Sequence, residues 1–241
     1  MKRIYLSLSL LLLPALVHAG WILQQSDDGH WVTGQNRNQQ QLIISQNGPH
    51  KQFLLIITNR KKSQSVPTSA SLSVDDKEVA VYTLKLLKSR PDSIALQLVL
   101  NQAEEDRLIT HLVAGLKLAV QMEQADTINF SLDGFTNTFS DFLIAMDLGR
   151  LDPHWLEMQG YRKELTCYEI ARAMVAAMSM RIEGKSRAET NIALSEQLSE
   201  EAAHALPDIL DQTFSVNTKD LPRIPSTRKY VVFKRCMQRF N

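Results

Sequence analysis

The side chains from which this chain could build chemistry are two cysteines, a scatter of histidines, several acidic clusters and a basic run near residue 241. Cys167 and Cys236 are the two cysteines. Neither belongs to a C-x-x-C pair and no histidine lies near either in sequence, so a redox couple or a thiolate nucleophile is disfavoured. Two cysteines in one exported unit instead predict a structural disulfide, Cys167–Cys236. Closing a loop of that length removes about 4 kcal/mol of chain entropy from the unfolded state.

His30, His50, His111, His154 and His204 form no H-E-x-x-H pattern, and no paired cysteines accompany them, so neither a metal nor a cofactor is expected. A site assembled from distant residues stays open at this point. The chain has no G-x-S-x-G elbow, no Walker loop and no G-x-G-x-x-G turn, so no catalytic residues are assigned. Asp27-Asp28, Asp75-Asp76 and Glu104-Glu105-Asp106 fall where turns or a helix start are expected, and acids there favour solvent or the helix dipole.

The formal net charge of +1 conceals a polarity. Residues 20–160 carry 12 basic and 16 acidic groups, whereas residues 161–241 carry 13 and 10. The excess concentrates in Lys219, Arg223, Arg228, Lys229, Lys234, Arg235 and Arg239, opposed by Asp220 alone. With Tyr230, Phe233 and Phe240 interleaved, Arg228, Lys229, Lys234, Arg235 and Arg239 form a candidate face for an acidic envelope protein or an anionic envelope surface. The alternative is a solvated helix side whose aromatics point into a core. Nucleic acid is disfavoured by the compartment the N-terminus specifies.

That compartment is read from residues 1–19. Lys2 and Arg3 precede an apolar run over Ile4–Leu13, Pro14 breaks it, and Val17-His18-Ala19 supplies small residues for cleavage, leaving Gly20 as the expected mature start. The run is too short for about 30 Å of hydrocarbon, and no later segment reaches the roughly 20 apolar residues of a span. The product is expected to be periplasmic and without a transmembrane anchor.

The elements that must position these groups are legible from periodicity. From Trp21 to Asp133 apolar residues alternate: Leu72 and Val74; Tyr82, Leu84 and Leu86; Ile94 to Leu100; Leu116 to Met122; Ile128 to Leu132. Turn chemistry at Asn47-Gly48-Pro49, Asp75-Asp76-Lys77 and Arg90-Pro91-Asp92 separates the strands. Ala103 to Val113 reads as a short inserted helix. An antiparallel β-sandwich or open barrel over 20–158 follows, closed by a helix on which Phe135, Phe139, Phe142, Leu143 and Met146 share a face up to Gly149. Leu151 to Gly160, with Pro153 and Trp155, reads as a connection.

Residues 161–241 then read as an all-α unit. Cys167, Ile170, Met174 and Ala177 keep helical spacing until Gly184. Ser186 and Glu189 make a capping box, Ser199 can cap a further helix, and Pro207 either kinks it or starts another. A last helix is expected from Ser226, with Tyr230, Phe233, Met237 and Phe240 on one side.

The stretch Thr127-Ile128-Asn129-Phe130-Ser131-Leu132-Asp133-Gly134-Phe135, followed by an amphipathic helix to Gly149, resembles the closing strand, glycine and helix of the invasion-associated locus B family of exported bacterial β-sandwich proteins. The unit enclosed by Cys167 and Cys236 is similar in style to small exported helical modules that begin and end with a cysteine. Both resemblances imply an exported binding or accessory protein, and neither supplies a catalytic motif. The expectation is therefore an α+β, non-enzymatic protein-interaction or envelope-accessory protein. An envelope hydrolase with dispersed catalytic residues and a periplasmic inhibitor of a toxin or lytic enzyme are the alternatives.

Overall fold

A computed structural model describes residues 20–26, 29–47, 50–58, 65–123, 126–148, 160–222 and 225–239. The export signal expected over 1–19, the turns expected at Asp27-Asp28 and Gly48-Pro49, the connection expected through Pro153 and Trp155, and the residues Gly149, His154, Arg223 and Phe240 lie outside the described residues.

Alternation produces strands β1 (Trp21–Ser26), β2 (Gly29–Gln35), β3 (Gln41–Asn47), β4 (His50–Thr58), β5 (Ser69–Val74), β6 (Lys77–Ser89), β7 (Ser93–Val99), β8 (Lys117–Met122) and β9 (Ile128–Ser131). They form one nine-stranded antiparallel sheet in the order β1-β2-β3-β4-β7-β6-β5-β8-β9, so the fold is mixed α+β and the sheet is not closed by a ladder. β6 is the pivot of this order. Its first half, Lys77 to Thr83, pairs with β5, and its second half, Thr83 to Ser89, pairs with β7.

The β5–β6 hairpin turns through Asp75 and Asp76, both in the left-handed region (φ 50° and 62°) that acidic and amide side chains tolerate. The Asp75 carboxylate accepts from the Leu116 and Lys117 N–H groups at 2.9 and 3.0 Å. One apolar expectation fails in β6. Leu86 is 43% exposed although its ladder partner Leu96 is buried, and it is the last residue of β6 before the register shifts between Leu86 and Lys88. Leu116 is also solvent-facing, lying just before β8 begins.

The buried face of the sheet packs on two helices. Helix α1 (Gln102–Ala114) starts at a reciprocal capping box in which Asn101 accepts from Glu104 N–H and the Glu104 carboxylate accepts from Asn101 N–H. It buries Leu108 and Leu112. Helix α2 (Phe135–Leu148) follows Gly134, whose φ of 76° suits glycine at the strand-to-helix corner. Phe135, Phe139 and Phe142 stack in sequence, with ring centroids 5.3 and 5.7 Å apart, and fill the sheet's interior.

The two edges of the sheet are joined by side chains. The Trp21 indole N–H on β1 donates to the Ser131 carbonyl on β9 at 2.7 Å, and the Asn36 amide donates to the Asn129 carbonyl at 3.2 Å. Trp21 also meets Phe135 edge-on at 4.6 Å, and its carbonyl accepts from the Thr138 hydroxyl. Directly across the ladder from Trp21 stands Gly34. A Cβ there would lie 2.6 Å from the indole ring, so a residue without one is needed for the ring to lie down over β2.

The remaining helices are α3 (Arg162–Ile182), α4 (Arg187–Ser195), α5 (Glu200–Ala203), α6 (Leu206–Ser215) and α7 (Lys229–Arg239), with single 3-10 turns at Thr218–Asp220 and Pro225–Arg228. Ser186 and Ser199 cap α4 and α5 as their spacing requires, and Pro207 marks a new helix by standing in the first turn of α6. Cys167 and Cys236 form a disulfide that ties α3 to α7, with Cα atoms 5.5 Å apart. One apolar cluster joins α3, α4 and α6 around Met174, Leu194 and Leu210. Another gathers Ile144 of α2, the disulfide, Tyr168, Ala171 and Phe233.

The seam at Trp21 makes the fold sensitive to one methyl group. Gly34→Ala is expected to lower unfolding stability by about 2 kcal/mol through overpacking, measured by urea denaturation, with Trp21→Phe relieving most of that loss.

Candidate functional site

Helix α2 has a second face. Asn137, Asp141, Ile144 and Leu148 recur at spacings of four, three and four, opposite the phenylalanines, and turn toward α3 and α7. Between these three helices and the chain from α4 to α5 lies a cleft of about 790 Å³.

Its floor is an ion pair. The Lys229 ammonium is 2.6 Å from the Asp141 carboxylate, with side chains only 4% and 17% exposed, and it also donates to Asn137 Oδ1 at 3.0 Å. The Tyr168 hydroxyl donates to the same Asp141 oxygen at 3.2 Å. The Lys229 Nζ stands 5.2 Å from the Tyr168 ring centroid, and the Arg172 guanidinium stands 5.8 Å from it. Charge removed from water to this degree persists because every group has an opposite charge, a hydrogen bond or an aromatic face beside it.

The walls come from α3 and from α4 with its exit. Glu169 turns away from Arg172 and accepts from Ser199 N–H at 3.1 Å and from its hydroxyl, which fixes the start of α5. Ala173, Ala176, Leu194 and Leu198 supply apolar surface, and Gln197 stands exposed at the rim.

The basic residues singled out by sequence separate into different environments. Lys229 is a correction to the expected surface face, since it is buried against α2 rather than offered to a partner. It falls on the same helical stripe as Phe233 and Cys236, at i, i+4 and i+7, and that spacing was the signal that could have placed it inside. Lys234 shares the Asp147 carboxylate with the Tyr230 hydroxyl, at 3.3 and 3.0 Å. Arg228, Arg235 and Arg239 are exposed, and among the described residues none of them has an ion-pair partner. Arg235 and Arg239, four residues apart, lie on one side of α7, and Arg228 ends the 3-10 turn that leads into it, with exposed Val231 between them in sequence.

The acidic clusters within the described residues have structural duties. Asp75 holds a turn, Glu104 caps α1, and Glu105 is buried against Lys51 at 3.3 Å. No group of three or more histidine, cysteine, aspartate or glutamate residues suited to a metal ion occurs among the described residues, and no histidine is among those lining the cleft. No helix among the described residues is long and apolar enough to cross a membrane. Comparison with protein-family models, with curated proteins and with solved structures finds no match to this chain.

Burial pushes the Tyr168 phenol well above its ordinary 10.0, with the Asp141 carboxylate adding to the rise and Arg172 opposing it. Burial likewise leads in raising Tyr230, which the hydrogen bond and charge of Asp147 carry to about 12. The folded state thus keeps these protons where the unfolded chain releases them. The stabilisation is fully present below pH 10.0 and is lost as pH climbs through the folded values. Lys229 runs the other way: burial lowers it from 10.5 against the pull of Asp141. Its buried charge costs stability at lower pH, and that cost is relieved as pH rises toward 10.5.

Two outcomes follow, one from the floor of the cleft and one from the Tyr230–Asp147 contact outside it. In denaturant unfolding, Asp141→Asn is expected to cost about 3 kcal/mol because it strands a buried ammonium, whereas Lys229→Met costs about 1 kcal/mol because Asp141 keeps partial solvent access. Equal losses would show that the lysine is not dependent on its carboxylate. In an ultraviolet phenolate titration, Tyr230 should ionise at about pH 12 in the folded protein, and Asp147→Asn should bring that midpoint down.

Proposed function

We propose that this chain is an exported, non-enzymatic interaction protein of the bacterial envelope, released into the periplasm by cleavage after Ala19, in which an open-barrel β domain carries a helical domain that docks an acidic partner protein. The observation that carries the reading is the sorting of charge on α7. With Lys229 withdrawn to Asp141 and Lys234 shared with Asp147, the exposed basic groups left are Arg235 and Arg239 on the helix and Arg228 in the turn just before it, with Val231 exposed beside them. Guanidinium groups lose less on desolvation than ammonium groups and bind carboxylates through two parallel hydrogen bonds, which favours an acidic protein surface. The disulfide supports the reading in a second way, because it holds α7 to α3 in an oxidising compartment and gives the row a rigid backing.

A photocrosslinking residue at Val231 of the full chain, expressed in cells, tests the reading. A discrete acidic protein adduct is expected, falling about tenfold when Arg228, Arg235 and Arg239 are all changed to Gln and falling also as salt is raised. An unchanged adduct in the triple variant would remove the row from the function. Salt-dependent binding to phosphatidylglycerol vesicles with no protein adduct would replace the acidic protein by the lipid surface.

A further inference from the structure

The cleft has a sharply defined remainder once its internal bonds are subtracted. Its formal charges cancel, with Arg172 and Lys229 against Asp141 and Glu169, so recognition there depends on which groups are already held. The Asp141 oxygen receives both Lys229 and Tyr168, and Glu169 receives both polar hydrogens of Ser199. Arg172 faces only the Tyr168 ring and has no carboxylate partner among the described residues. The Asn137 carbonyl is taken by Lys229, which leaves its NH2 group to a ligand, and Gln197, like Asn137, is exposed and lines the cleft. The polar groups left over are therefore one guanidinium and two side-chain amides, arranged beside apolar surface from Ala176, Leu194 and Leu198.

A guanidinium with donors still open calls for a carboxylate, the anion whose two oxygens match its fork. Amides next to it suit peptide groups, which both donate and accept. Ala176, Leu194 and Leu198 line the same cleft, and their apolar surface suits one branched aliphatic side chain. A cleft of about 790 Å³ lies within the roughly 300–1,000 Å³ of small-ligand sites and exceeds what a lone carboxylate fills.

We propose that this cleft binds the free C-terminal carboxylate of an extended peptide ending in a branched aliphatic residue, with Arg172 on the carboxylate, Asn137 and Gln197 on the last peptide groups, and Ala176, Leu194 and Leu198 around the terminal side chain. The site is separate from the exposed arginines at α7, so either can fail without the other.

The test uses the full mature chain and an acetylated pentapeptide, Gly-Ala-Ala-Ala-Leu, with a free C-terminus, compared with its C-terminal amide and with octanoate by nuclear magnetic resonance titration. The free acid is expected to shift the Leu194 and Leu198 methyl signals and to bind at least about tenfold more tightly than the amide, the loss of one charge-assisted bond. Arg172→Gln should bring the acid down to the level of the amide, and Leu198→Asn should weaken both. Arg172 is exposed, so its variant should retain the wild-type near-ultraviolet dichroism. Should Arg172→Gln misfold, the acid and amide comparison on the wild type and Gln197→Ala still decide the matter. Equal affinity of acid and amide, shifts confined to other residues, or no binding of the acid would overturn the proposal. Octanoate binding as tightly as the peptide would overturn it too, by assigning the cleft to a simple carboxylate amphiphile.

Discussion

An ammonium group taken out of water must be matched where it ends up, and the placement of Lys229 is the constraint around which the helical half of this molecule is organised. The group sits at the foot of α7, touching Asp141 and Asn137 of α2 and facing the Tyr168 ring of α3. Removing the carboxylate alone would cost about 3 kcal/mol in so enclosed a place. Three helices are therefore held at one point by charge and hydrogen bonding, in geometry that apolar packing alone does not specify. The disulfide fixes two of these helices, α3 and α7, to each other, two turns further along α7 from the lysine.

Helix α2 transmits that constraint to the sheet because it is buried on both sides. Phe135, Phe139 and Phe142 pack into the sheet's interior, while Ile144 and Leu148 pack against the disulfide and Phe233. Ser140 adds a polar tie between the two, its hydroxyl bonding the Thr136 carbonyl of α2 and the Ser226 carbonyl ahead of α7. On the other face of α2, Phe135 supports Trp21, and Trp21 bridges the open edges of the sheet. The seam and the cleft thus lie on two faces of one helix. A disturbance in the packing of α2 has consequences at both.

The charge polarity of the chain takes a different form in three dimensions from the one it has in sequence. Seven basic residues near residue 241 are close in sequence, yet one is in the interior, another shares an aspartate with a tyrosine, and the exposed remainder on and just before α7 is three arginines. What looked like a diffuse positive segment is a narrow one. In the cleft, likewise, acids and bases are present in equal number, and the groups left open to a ligand are those that the internal network does not occupy.

Much of the fold was legible before the structure. Alternation placed the strands, the capping pair Ser186 and Glu189 placed α4, and the two cysteines of the helical segment paired with each other. These are local signals: a period, a cap or a lone pair of cysteines, each decided within a few residues or by chemistry that ignores geometry. The single sheet with its unladdered seam was not legible, because β6 changes partners at Thr83 and sequence carries no record of which neighbour a strand has, and neither was the exposure of Leu86. The cleft was hidden for a related reason. Asn137 and Asp141 read as the polar side of an amphipathic helix, and Lys229 as one of a basic run, until tertiary packing brought the two polar sides together and excluded water from between them. Sequence by itself determined which residues form helices and strands and which cysteines pair. Only the tertiary structure decided which charges stay in water and which are buried, since burial depends on what packs against a group from elsewhere in the chain.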